Sequence, residues 1–177
     1  MIDFVWVRAH GTSTSIANLT STNAVALLAG TLTEDKLFSG GNSATKVHAV
    51  GRDEDSGTRI AALADSGYGV HNYVKQYSYT GAAFALEPAA TVDAIPHPAG
   101  DIGYSGGGAL EAALALNDTA VNEDGLGYLG LNDANNLGTA NWLTFARAML
   151  FGKGVAEGWI SAVSTRGSAN RSQTRER

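Results

Sequence analysis

The segment at 46–67 limits what this chain can fold into more than any other. Residues 46–50, KVHAV, alternate in character as a short strand does. They run directly into VGRDEDSGTR at 50–59, after which Ile60, Leu63 and Ala64 recur at helical spacing and Gly67 supplies a stop. A strand that passes into a helix through so few residues must pack against that helix. This is the elementary step of a layered α/β domain.

The step recurs along the chain. Residues 2–8 read as a strand carrying Ile2, Phe4, Val5, Trp6 and Val7. Residues 19–30 read as a capped helix: Thr20 supplies the N-cap oxygen, Leu19 and Ala24 stand at hydrophobic-staple spacing, and Gly30 closes the C-terminus. Its apolar stripe is Ala24, Leu27 and Leu28. Residues 73–79 form a further candidate strand, and 80–100, with all three prolines, form the least regular part. IGYSGGG at 102–108 leads into a helix at 109–116, LGYLGL at 126–131 reads as a small apolar strand, 132–136 as a turn and 142–151 as a helix. The alternation predicts an α/β fold with a mixed, mainly parallel sheet flanked by helices.

Composition sets the outer limits. Of 177 residues, 44% are hydrophobic and 16% charged, which is enough for a core and excludes global disorder. Residues 1–160 are expected to form one domain and 161–177 a disordered basic tail. Residues 166–177 hold four Arg against one Glu; this +3 leaves −8 for the rest, out of a total of −5. So acidic a body, with no basic stripe interleaved with aromatics, excludes a general nucleic-acid binder. The absence of Cys excludes disulfides, thiol catalysis and Cys-based metal sites. No metal or cofactor is expected. No apolar run reaches the roughly 18 residues of a membrane span, and MIDFVWVRAHG lacks the pattern of a signal peptide.

The chemistry concentrates in VGRDEDSGTR. A helix start offers free N–H groups and a partial positive charge; Ser56 and Thr58 add hydroxyls, Gly57 allows close approach, and Arg52 adds a fork of charged donors. Within seven residues these make a candidate site for phosphate, sulfate or a similar anion. The acidic run Asp53, Glu54 and Asp55 opposes an anion if it points inward. It is harmless if it points to solvent or holds the Arg52 guanidinium, and an inward carboxylate can accept the proton of a protonated phosphate. The alternative is purely structural, with Asp55 or Ser56 capping the helix and Arg52 in a surface ion pair. An EF-hand, a G-x-S-x-G nucleophile and a P-loop all fail on spacing, and nothing fixes His48 or His71 as a base.

VGRDEDSGTR resembles the R-x-x-x-S-G-T signature of the phosphate-binding proteins of bacterial ABC importers, a branch of the type 2 periplasmic binding proteins. FVWV at 4–7, the helix ending in LLAG, and LFSGG at 37–41 resemble that family's crossover strand and following segments. GYSGGGALEAAL and GLGYLGLNDA resemble its Gly-rich turn with helix and its next strand, so the likeness spans roughly 2–145. It implies a periplasmic-binding-protein type II-like lobe that is not an enzyme. Arg52, Ser56, Gly57 and Thr58 would be the oxyanion ligands, with Ser105, Gly106 and Gly107 as secondary candidates for which helix capping is the alternative role. It further implies a periplasmic or secreted location and an ABC importer membrane component as partner. The ligand residues of the family's first lobe have no counterpart here, so the chain is expected to be partial, with self-association as one way to complete the site. Glu54-Asp55 stands where the family often has Asp-Gly.

Other residues read as structural. Tyr68, Tyr73, Tyr77 and Tyr79 suit sheet packing, Trp142 and Trp159 suit packing rather than binding, and Asp118, Glu123 and Asp124 are expected at the surface.

Overall fold

A computed structural model describes residues 4–117, 119–120 and 122–146. The expected tail and Trp159 lie outside the described residues, as does Asp118. The described part is a three-layer α/β arrangement. Its central sheet has the order β1 (Phe4–Arg8), β8 (Glu123–Gly130), β3 (Lys46–Val50). β3 runs parallel to β8, and β1 runs antiparallel to it, with Phe4 opposite Gly130 and Val7 opposite Gly127.

Period-two alternation along these strands feeds two separate cores. Trp6, Ala49, Leu126 and Tyr128 face one side, where Ala24 and Leu27 of α1 (Ser21–Leu28) and Ala62 of α2 (Gly57–Ser66) pack on them. Val7, Val50 and Leu129 face the other, against Leu110 and Leu114 of α3 (Gly107–Leu114) and Ala134 and Leu137 of α4 (Leu131–Leu137). Gly127 matters for this second core. A Cβ there would fall 2.6 Å from a Leu114 methyl and 2.9 Å from the Val50 carbonyl oxygen, so only glycine lets α3 settle on the strand.

The first helix forms as its sequence directs. Thr20 accepts from the Asn23 amide at 3.2 Å, and Gly30 and Thr31 donate back to Leu27 and Ala26, both at 2.9 Å, which closes a Schellman motif. Helix α2 differs from the expectation. Its inward residues are Arg59, Ala62, Leu63 and Ser66, while Ile60 is 48% exposed and Ala64 lies at the surface. An arginine displaced an isoleucine from the buried face because Asp101 is buried beneath it.

Two further expectations are corrected. Residues 132–136 are not a turn but most of α4, since Ala134 and Leu137, three apart, both reach the core. Residues 144–146 are not helical: Thr144–Ala146 forms β9, parallel to β2 (Asn18–Thr20). Their backbone is claimed by neighbouring strands and loops, with Leu143 donating to Trp6 and Thr144 to Ala17. The remainder of the expected helix at 142–151 lies outside the described residues.

The irregular region resolves into two hairpins, β4 (Tyr77–Tyr79) with β5 (Phe84–Leu86) and β6 (Ala90–Val92) with β7 (Ile95–His97). The fold is the expected mixed α/β with flanking helices. Besides β1 on β8, the two hairpins are antiparallel, and neither is expected as a hairpin from the irregular sequence at 80–100. Tyr79 stacks on Phe84 and Tyr77 lies against His48, so these two tyrosines do pack. Asp124 is not a surface residue: it is buried and accepts from the Ser13 amide, while Glu123 is partly exposed and meets His48 at 3.3 Å.

Two predictions follow from these elements. The β6–β7 turn holds Asp93 at φ 48° and Ala94 at φ 65°, a left-handed pair in which alanine carries about 1 kcal/mol of strain. Ala94→Gly is therefore expected to raise the unfolding free energy by up to about 1 kcal/mol in urea titration. Separately, burial pushes the Tyr128 phenol up to about 12 from its ordinary 10.0. The fold favours the neutral phenol, so this contribution is whole below about pH 10 and is lost as pH rises through about 12. Tyr128→Phe is expected to flatten the decline in stability across that window, measured by denaturant unfolding at successive pH values.

Candidate functional site

The parallel strands β3 and β8 are neighbours, yet the helices that follow them leave for opposite faces, α2 to one core and α4 to the other. Such a divergence opens a crevice beyond the carboxyl ends of the strands, where open α/β sheets take their ligands. A cleft of about 690 Å³ lies there. It is lined from the β3 side by Arg52, Asp55, Ser56, Gly57 and Thr58, from the β8 side by Gly130, Leu131, Asn132 and Asp133, and at its edge by Phe4.

The structure thus brings all four primary sequence candidates, Arg52, Ser56, Gly57 and Thr58, to one opening. Ser56 is the N-cap of α2 but makes no side-chain cap bond; the residue is 6% exposed, and its hydroxyl keeps solvent contact rather than a protein partner among the described residues. The first-turn N–H groups of α2 consequently have no side-chain acceptor from the cap. Gly57 faces open space.

Arg52 is fixed by its surroundings. The strand direction of β3 continues through a bridge to Tyr104, with Tyr104 N–H donating to the Gly51 carbonyl and Asp53 N–H to the Tyr104 carbonyl. The Arg52 side chain then donates from Nε to the Tyr104 carbonyl at 2.9 Å and from Nη2 to the Ser105 carbonyl at 3.1 Å. Asp53 stands 3.8 Å from Nη2. Nη1 has no hydrogen-bond partner among the described residues. Two carbonyls set the orientation of the guanidinium and Asp53 adds a long ion pair, which leaves the Nη1 edge available.

Ser105, Gly106 and Gly107 do not line the cleft. Ser105 anchors Arg52 through its carbonyl, Gly106 is the N-cap of α3, and Gly107 makes room for Asp133, whose Oδ2 occupies the space a Gly107 side chain would need. An internal carboxylate therefore fills the second glycine-rich turn. The sequence reading missed Asp133 and Asn132 because it placed them in a plain turn. Their position directly after a parallel strand was the signal available.

The acidic run divides three ways. Asp53 stays near Arg52, Asp55 is exposed on the cleft wall, and Glu54 turns away to meet His97 Nε2 at 3.3 Å. His97 Nδ1 lies 2.8 Å from Asp101 Oδ2, and Asp101 Oδ1 pairs with Arg59 Nη2 while also accepting from the Val74 amide at 3.0 Å. Arg59 Nη1 donates to the Asp101 carbonyl at 2.7 Å. Four ionisable side chains thus connect the two ends of the Ser56–Thr58 turn. Of the histidines considered as bases, His48 is buried against Glu123 and Tyr77, and His71 is exposed on the segment after α2.

These features define an α/β domain with a strand-end cleft that gathers one guanidinium, two hydroxyls and a helix start. No family model matches the chain and no curated protein matches it. Among solved structures it is similar to PstS from Borrelia burgdorferi, at 19% identity and a TM-score of 0.47, over 81% of this chain and 48% of that one. The chain thus spans about half the length of that protein.

Asp101→Asn removes the counter-charge of buried Arg59 and one of the two carboxylates on His97. The expected loss is about 3–5 kcal/mol of unfolding free energy, measured by urea denaturation.

Proposed function

We propose that this chain is an extracytoplasmic solute-binding domain of the phosphate-binding type, which captures phosphate or a similar tetrahedral oxyanion at the start of α2. The observation that carries this reading is the convergence of Arg52, Ser56, Gly57 and Thr58 on one strand-end cleft, with Arg52 Nη1 and the Ser56 hydroxyl uncommitted to other protein groups among the described residues. Solvent reaches both donors, so a bound anion would replace water at groups already gathered on the cleft. Arg52 would supply charge and two-pronged geometry, Ser56 and Thr58 hydroxyl donors, and Gly57 a backbone N–H at the positive end of the helix. The resemblance of VGRDEDSGTR and its flanking segments to phosphate-binding proteins supports the same assignment.

The roles assigned are those of ligands, and no turnover is proposed. The location would be periplasmic or extracellular, with an ABC importer membrane component as partner and a second lobe or second copy closing the cleft. No helix among the described residues is long and apolar enough to cross a membrane. A second reading, a structural or adhesion module that keeps the fold without binding, draws on one observation: Asp55 and Asp133 put two carboxylates on a cleft with a single guanidinium.

Calorimetric titration with sodium phosphate separates the two. The expected result is saturable binding that Arg52→Ala weakens at least about tenfold, equivalent to about 1.4 kcal/mol, and that Ser56→Ala also weakens. No heat with phosphate, sulfate or molybdate would favour the structural reading, and binding indifferent to Arg52→Ala would overturn the assigned site.

A further inference from the structure

We infer that His97 is a positioning residue for the Ser56–Thr58 turn, holding Glu54 away from the cleft only while its imidazole is protonated. The inference rests, for its consequence on binding, on the anion reading above.

Both ring nitrogens of His97 face carboxylate oxygens, Asp101 Oδ2 at 2.8 Å and Glu54 Oε1 at 3.3 Å. An ionised carboxylate only accepts, and a neutral imidazole has one N–H and one lone pair. Only the imidazolium can donate to both. When the ring loses its proton, one nitrogen turns a lone pair on a carboxylate, and that contact becomes repulsive.

The two arms differ in how firmly they are held. The Asp101 side chain is almost fully buried and also engages Arg59 and the Val74 amide, so it keeps the remaining N–H. Glu54 has His97 as its one ion-pair partner among the described residues, and its side chain is 21% exposed. It is therefore the arm that lets go. The other groups around the ring do not replace it: Tyr73 presents an edge at 6.4 Å, Arg59 is committed to Asp101, and the Tyr68 hydroxyl donates to the Tyr73 carbonyl.

Release of Glu54 acts directly on the binding turn. Ser56 N–H donates to the Asp53 carbonyl at 3.2 Å, so Glu54 and Asp55 are the two central residues of a tight turn whose last residue caps α2. A freed Glu54 lies two residues from Arg52 and two from Ser56. It adds a carboxylate where the anion would sit and competes for Arg52. Anion affinity is then lower with the ring neutral than with the ring protonated.

Nuclear magnetic resonance of the ¹⁵N-labelled chain in anion-free buffer tests the coupling without assuming a ligand. The Gly57 and Thr58 amides are expected to shift with the same midpoint as the His97 ring. In Glu54→Gln, whose amide can both donate and accept, that movement is expected to vanish while the ring still titrates. Wild-type amides that ignore the ring, or Glu54→Gln amides that still follow it, overturn the inference. His97→Gln provides the converse control if it folds; Glu54→Gln, altering a partly exposed side chain, suffices alone. A second arm uses sulfate, whose charge is constant while the ring titrates. Sulfate binding that weakens at least about tenfold between the protonated and the neutral ring, as the same spectra report it, in wild type but not in Glu54→Gln supports the inference, and equal profiles overturn it. If no sulfate or phosphate binds while the amides still follow the ring, the anion reading fails and the positioning role of His97 stands.

Discussion

The buried pair of Arg59 and Asp101 sets the geometry from which the rest of the site follows. A guanidinium and a carboxylate cannot be left in a protein interior without each other, because the cost of an unpaired buried charge exceeds what burying an isoleucine returns. Helix α2 is therefore rotated to put Arg59 inward and Ile60 outward. That rotation decides where its first turn looks. Ser56, Gly57 and Thr58 come to face the strand-end crevice, three residues or fewer ahead of the anchored arginine.

Asp101 also explains why an irregular, proline-bearing region is part of the structural core. Its carboxylate holds Arg59 of α2, His97 of β7 and the backbone at Val74, three segments with no shared secondary structure. The β6–β7 hairpin is thus attached to the domain through charge and hydrogen bonding, whereas β4–β5 packs Tyr79 and Phe84 on the second core. Glu54 extends the same network to the loop before α2, so the acidic run is built into the fold.

How much of this could be read from the sequence depended on whether the determinants were local. β3, α1 with its caps, and the strand-to-helix passage at 50–58 were legible because their causes lie within a few residues: alternation, an N-cap threonine, a closing glycine. The cleft candidates Arg52, Ser56, Gly57 and Thr58 came from the same local pattern. What could not be read was set at a distance. Nothing near Arg59 announces that its partner lies forty-two positions away. Trp142–Thr144 carries enough apolar residues to pass for a helix until β1 and the loop before β2 claim its N–H groups. Asp133 seemed an ordinary turn residue, and its place against Gly107 depends on α3 and α4 meeting beneath the sheet.

Gly127 has a consequence for how such a domain can vary. With no side chain between them, the backbone of β8 and the Leu114 methyls are in direct contact, so the gap between the sheet and α3 is the reach of one leucine side chain. A Cβ at 127 would push the helix off the strand, and a shorter residue at 114 would leave a void against it. The two positions therefore constrain one another, and change in this core has to keep a small–large pair across the layer.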